Sequence, residues 1–256
     1  MMEEIFSLKD VSYSYYGIIP ALQKINLSVD KGEMVAITGV NGSGKSTLLN
    51  IINALIYPDS GEFRYKGKVL SEASFRSKEV SLSFRRSMGY VFQNPDIQLF
   101  CPTVLDELLF GPRQLNFPHE EALQRAEDTM AFLGITHLKD RSVIMLSGGE
   151  KKKVAISSVL TMNPEVLLFD EPLAGLDPKT QEFITDLIGE LSRAGKTIVF
   201  TTHQIDLIEC LQPRVAVLSE DHTVQKTGMA AEILNDTELL SSSGLINKHI
   251  YRSISR

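Results

Sequence analysis

Near the N-terminus apolar and polar residues alternate, from Phe6 to Tyr13 and again from Ile25 to Val29, which is the period-two spacing of half-buried strands. The polar turn Asp30-Lys31-Gly32-Glu33 leads into a continuous apolar run, Met34 to Thr38, that predicts a buried strand, and a helix is expected from Lys45. Gly61 to Tyr65 and Met88 to Gln93 read as further strands, and the polar stretch Ser71 to Arg86 between them reads as a surface excursion. From Pro95 the period changes. Apolar residues three and four apart predict helices over Thr103 to Phe110, over His119 to Leu133, and from Ser147 towards Met162. Alternation then resumes with a strand at Val166 to Phe169, a helix at Lys179 to Arg193, and strands at Thr197 to Thr201 and Val215 to Leu218. After Glu220 the pattern suggests a hairpin and short helices, then a serine-rich stretch and a basic end. The fold class expected is α/β, with an N-terminal antiparallel β subdomain and a helical subdomain inserted at about 95–162; one domain covers 1–220 and a short tail 221–256.

Composition narrows the classes. The chain has 256 residues, 43% apolar and 23% charged, which is ordinary globular usage and enough for a sizeable core. No run approaches the roughly 18 consecutive apolar residues of a membrane-spanning helix. The start, Met-Met-Glu-Glu, is acidic where a secretory signal is basic and then apolar, so nothing marks the chain for export. Cys101 and Cys210 lie in no C-x-x-C or metal-ligand pattern; both are expected to be packing residues in a reducing cytosol. A net charge of -6 lacks the basic footprint of phosphate-backbone binding, so nucleic acid is not an expected partner.

The first candidate for chemistry is Gly39-Val40-Asn41-Gly42-Ser43-Gly44-Lys45-Ser46, followed by Thr47, which matches the phosphate-loop pattern G-x-x-x-x-G-K-[ST]. Its glycines let backbone N–H groups turn inward around phosphates, and the loop runs into a helix N-terminus whose partial positive charge favours an anion. Lys45 is expected to bridge the β- and γ-phosphates of ATP and the Ser46 hydroxyl to ligate magnesium. A glycine-rich turn is the bland alternative, but the apolar strand before and the helix after argue for the nucleotide.

Val166 to Phe169 ends in two carboxylates, Asp170 and Glu171, which a plain core strand has no reason to carry. Asp170, at the strand's C-terminal edge, is expected to hold magnesium through its water shell. Glu171 is expected to orient or deprotonate the attacking water. His203, just after the strand Thr197 to Thr201, is expected to contact the γ-phosphate.

Leu146-Ser147-Gly148-Gly149-Glu150 resembles the signature sequence of ATP-binding-cassette ATPases. Ala174-Gly175-Leu176-Asp177 is similar to that family's D-loop, Gln93 to its Q-loop glutamine, His203 to its switch histidine, and Tyr15 to its adenine-stacking aromatic. The resemblance spans residues 11–218 and implies a P-loop NTPase (RecA-like) core, Mg-ATP hydrolysis, and a head-to-tail dimer. In such a dimer Ser147, Gly148, Gly149 and Asp177 contact the ATP held by the partner's phosphate loop, and Gln93 joins Ser46 and Asp170 around magnesium. Independently, Ser147 and Glu150 form a capping-box pattern, and Asp177-Pro178 an N-cap followed by a first-turn proline. Glu150 stands where glutamine is commoner, and Leu173 where threonine or serine usually precedes the D-loop; Lys151, Lys152 and Lys153 are placed to offset the charge of Glu150.

The run Gln93-Asn94-Pro95-Asp96-Ile97-Gln98-Leu99-Phe100 resembles the Q-loop region of energy-coupling-factor ATPases, especially the cobalt and nickel branch. That resemblance implies a peripheral subunit on the cytoplasmic face of the membrane, working with a second ATPase subunit (homodimer favoured, heterodimer possible), a transmembrane scaffold and a substrate-binding subunit. Asp96, Asp106 and Glu107 are candidates to meet basic scaffold residues. A shared ATPase for vitamin uptake and a soluble non-transport cassette are the alternatives.

Overall fold

The computed structural model describes residues 3–246. In chain order its elements are β1 (Glu4–Tyr15), β2 (Ile19–Asp30), β3 (Met34–Gly39), α1 (Lys45–Ile52), β4 (Ser60–Tyr65), β5 (Lys68–Val69), α2 (Lys78–Ser87), β6 (Met88–Val91), α3 (Val104–Gln114), α4 (His119–Phe132), α5 (Gly148–Leu160), β7 (Val166–Phe169), α6 (Pro178–Arg193), β8 (Thr197–Thr201), α7 (Ile205–Leu211), β9 (Arg214–Leu218), β10 (Val224–Met229), α8 (Ala230–Asn235) and α9 (Thr237–Ser242). They fall into two compact units: residues up to Arg76 together with those from Thr185 onward, and Ser77–Ile184.

In the first unit β2, β1, β4 and β5 form an antiparallel sheet in that order. The register pairs Phe6 with Val29, Leu8 with Leu27 and Val11 with Ile25, all buried, and the alternation read from the sequence is broken once between Leu8 and Val11, where the register shifts and Asp10 takes φ 51°. The same unit holds a parallel arrangement in which β3 pairs with β8 on one side and β9 on the other. Val35, Ala36, Ile37, Ile198, Val199 and Phe200 are all fully buried there, as expected of strands covered on both faces. After Glu220 there is one strand, β10, and the hairpin expected there takes its first strand from before Glu220: β10 pairs antiparallel with β9 from Val224↔Leu218 to Met229↔Arg214. Beyond it, α8 and α9 bury Ile233 and Leu240, and the turn at Gly244 comes against Val40 of the phosphate loop. The basic end falls in 247–256, outside the described residues.

In the second unit β6 and β7 run parallel, with Gly89 opposite Leu167 and Val91 opposite Phe169, and both strands are wholly buried. Helices α3, α4 and α5 pack on one another, and α5 also packs on β6. The stretch Ser71 to Arg86 lies at the surface as expected, but it is helical there: it holds a 3₁₀ turn, Glu72–Arg76, and then α2, capped by Ser77. Only Phe84 of α2 is buried, so the stretch reads as polar although it is helical. Cys210 is exposed rather than packed, because α7 turns Leu207 and Ile208 inward and leaves Cys210 on the solvent side. Among the described residues no helix is long and apolar enough to cross a membrane.

Candidate functional site

The phosphate loop leaves the end of β3 and closes on α1. At Gly44 the backbone is left-handed, φ 103°, and a Cβ there would run into the Ala21 carbonyl, so the turn needs glycine. The Lys45 side chain, 7% exposed, donates to the Gly39 carbonyl at 2.9 Å and the Val40 carbonyl at 3.1 Å. An ammonium held over the mouth of its own loop is placed for anion contact. Ser43 Oγ and Thr38 Oγ1 are buried without a hydrogen-bond partner, two hydroxyl donors that an oxygen-rich ligand would satisfy. Tyr15 donates to or accepts from Thr47 Oγ1 at 3.0 Å through its hydroxyl, and its ring meets Tyr13 edge-on at 5.1 Å. Because β8 pairs in parallel register with β3, Ile37 opposite Thr201, the phosphate loop and His203 leave neighbouring strands at the same edge. Thr202 N–H donating to Ile37 C=O at 3.1 Å extends that register to the residue before His203.

The second unit repeats the logic. Asp170 N–H donates to Val91 C=O at 3.0 Å, so Gln93, Asp170 and Glu171 emerge together at the C-terminal edge of β6 and β7. Both carboxylates are 7% exposed. Glu171 has φ 42°, a left-handed conformation rare for a side chain of its size.

The signature stretch forms a second group in the same unit. Ser147 caps α5 with a complete capping box: Ser147 N–H donates to Glu150 Oε2 at 2.8 Å, and Glu150 N–H to Ser147 Oγ at 3.4 Å. The Ser147 backbone N–H, and then the Ser147 side chain, hold the Glu150 carboxyl below its usual range, helped by Arg141 at 3.4 Å. A cavity of about 420 Å³ opens beside Ser147, Gly148, Gly149, Lys153 and Asp177. Asp177 caps the next helix, its Oδ1 accepting from Thr180 N–H at 3.1 Å and its Oδ2 from the Thr180 hydroxyl at 2.6 Å. The hydroxyl bond is the main cause of its lowered pKa. Leu173, the second departure from the commoner pattern, is a buried packing residue, 6% exposed.

Two expectations are corrected here. The three lysines after the signature do not gather around Glu150: Lys151 pairs with Asp96 at 2.6 Å, Lys152 is buried, and Lys153 lies 3.9 Å from the centre of the Phe183 ring. Successive helix positions point about 100° apart, so a run of three cannot serve one carboxylate. Glu107 is not offered to a scaffold either. It is 3% exposed, and its Oε2 accepts from Phe100 N–H at 3.0 Å and Cys101 N–H at 2.8 Å. Burial first, and then Glu107, push the Cys101 thiol up to about 11. Replacing Glu107 with alanine would strand those two N–H groups. The expected loss in denaturant unfolding is about 1–3 kcal/mol, and an unchanged midpoint would contradict the structural role.

Sequence reasoning named Lys152 and Gln98 but missed what they bond to. Lys152 donates to the carbonyls of Phe92 at 2.9 Å and Gln93 at 3.1 Å. Burial pushes its ammonium down to about 8, against the opposing pull of the Asp170 carboxylate. Gln98 accepts from Phe92 N–H at 3.1 Å and donates to Ala155 C=O at 2.8 Å. The only cue in the sequence was that Gln98 lies in the run after Gln93.

Residues 22–174 match the family model described as ABC transporter. The chain is 43% identical to the nickel import ATP-binding protein NikO of Rhodobacter capsulatus, covering 96% of this chain and 97% of that one. It is 40% identical to the energy-coupling factor transporter ATP-binding protein EcfA of Methanothermobacter thermautotrophicus, over 94% of this chain and 76% of that one. Among solved structures, cbiO1 from Clostridium perfringens, described as part of the ABC transporter complex cbiONQ, superposes with a TM-score of 0.82 at 34% identity, covering 99% and 100% of the two chains.

Proposed function

Because this chain belongs to the ABC transporter family and is an ATP-hydrolysing subunit of a transporter, we propose that it powers an energy-coupling-factor importer of nickel or cobalt ions from the cytoplasmic face of the membrane. The observation that carries the importer reading is the division of labour in the run after Gln93. Gln98 is tied to α5 and Asp96 pairs with Lys151 at the surface, while Ile97 and Phe100 stand 67% and 65% exposed. Phe100 meets Phe110, itself 39% exposed, edge-on at 4.8 Å. Large apolar side chains left exposed on a segment that is itself fixed to α5 suit a partner surface, and in this reading the partner is the transmembrane scaffold.

In the proposed cycle Tyr15 stacks on adenine, and backbone N–H groups from Gly39 to Thr47 with Lys45 hold the phosphates. Ser46, Gln93 and Asp170 are hard oxygen donors of the kind magnesium takes alongside phosphate oxygens. The ion, when bound, would neutralise charge on the β- and γ-phosphates. Glu171 orients the attacking water and takes its proton, and His203 contacts the γ-phosphate. Ser147, Gly148, Gly149 and Asp177 address the nucleotide of a second ATPase subunit, and their cavity at the N-terminus of α5 supports that role.

Purifying the chain with its membrane partners and measuring uptake of labelled nickel, cobalt and vitamins tests the reading. Recovery of an integral scaffold and ATP-dependent nickel or cobalt uptake are expected. Vitamin uptake instead would favour a shared vitamin module, and failure to recover any membrane partner would sink the importer assignment.

A further inference from the structure

The strand β6 ends at Val91, so the peptide groups of Phe92 and Gln93 lie beyond the ladder and must find partners elsewhere. They find them through the signature helix. Phe92 C=O and Gln93 C=O both accept from Lys152 of α5, and Phe92 N–H donates to Gln98, whose amide is in turn fixed to Ala155 and, at 3.4 Å, to Ser158 of α5. A third link, Lys151 to Asp96, closes the same seam from the surface. Two of these links lie deep: Lys152 is 1% exposed, and Gln98 is half-buried.

Burying an ammonium is costly unless its donors are satisfied, and an apolar side chain would fill the same volume without that cost. What the ammonium adds is a strong shared anchor, because the carbonyls on both sides of Gln93 converge on one nitrogen fixed to α5. The helix that supplies the nitrogen begins at Ser147-Gly148-Gly149, five residues upstream of Lys152 when counted from Ser147. We propose that Lys152 and Gln98 staple the loop bearing Gln93 to the signature helix, so that Lys152 acts as a positioning residue for Gln93 and this chain's Gln93 moves as one piece with the signature it presents to a second subunit. The inference rests on the proposed role of Gln93. It also joins the run after Gln93 and Lys151 and Lys152 after the signature as two sides of one seam.

The test is a double-mutant cycle in the full chain, read as steady-state ATP hydrolysis. Lys152→Met is expected to lower kcat by about tenfold or more, with KM for ATP held within about twofold, because misplacing a group near the chemistry slows turnover without removing the phosphate loop. In a Gln93→Ala background the same Lys152→Met change should cost less than about twofold, since a positioning residue has nothing left to position. Gln98→Ala should lower kcat in the same sense, and it decides the matter if Lys152→Met does not fold. Equal losses in both backgrounds, or a parental kcat for Lys152→Met or for Gln98→Ala alone, would overturn the staple. A parental rate for Gln93→Ala would overturn the role of Gln93 itself, which is a separate and recognisable failure.

Discussion

Glu171→Gln is expected to slow ATP turnover by about 10²–10⁴-fold, the usual contribution of a positioned general base, while leaving ATP binding intact. The geometry behind this is the placement of Glu171 directly after the buried strand β7, beside Asp170, with its Ala174 N–H to Glu171 C=O turn at 3.1 Å. A glutamate at φ 42° is held in a conformation that costs about 1–3 kcal/mol, and such strain persists where surrounding structure fixes a side chain in place. Glutamine keeps the volume and most of the hydrogen bonding but cannot take a proton from water. The substitution should therefore separate chemistry from binding. Phosphate release gives the rate, and light scattering with and without ATP gives the oligomeric state. Hydrolysis at the parental rate by a variant that still dimerises with ATP would remove Glu171 from the mechanism.

The parts of this site that were legible in the sequence are those made by neighbours in the chain. The phosphate loop, the paired carboxylates after β7 and the capping box at Ser147 are local patterns whose backbone consequences follow from a few adjacent residues. Strands buried on both faces were equally plain, and Val166–Phe169 and Thr197–Thr201 have the limits their apolar runs imply. The helix α2 was hidden because a single buried side chain, Phe84, leaves no apolar stripe to read. The fate of Lys151, Lys152 and Lys153 was hidden for another reason. Three like charges in sequence look interchangeable, yet the helix turns one to an exposed carboxylate, one into the core and one onto an aromatic ring. The bonds from Lys152 to Phe92 and from Gln98 to Ala155 join residues about sixty positions apart, and no periodicity records a contact of that range.

A mixing experiment tests the composite site directly. Lys45→Ala removes the ammonium that Gly39 and Val40 hold over the phosphate loop, and a loss of about 10²-fold or more is expected, as for other preorganised charge-stabilising donors. Gly148→Asp attacks the other half. A Cβ at Gly148 meets nothing within 4 Å, and a carboxylate in the first turn of α5 suits the helix, so the fold should tolerate it. In the proposed head-to-tail dimer, however, that carboxylate would face the partner's γ-phosphate and repel the ligand, and a comparable loss is expected. In a head-to-tail dimer the mixed species carries one site with both defects and one with neither. Random pairing makes half of the dimers mixed, each with one of two sites intact, so an equimolar mixture should regain about a quarter of the parental rate if the sites act independently. Were each site built within one chain, both chains would be defective and mixing would restore nothing. Absence of recovery at concentrations where the dimer forms would therefore remove Ser147, Gly148 and Gly149 from the partner's nucleotide site and leave the capping of α5 as their whole role.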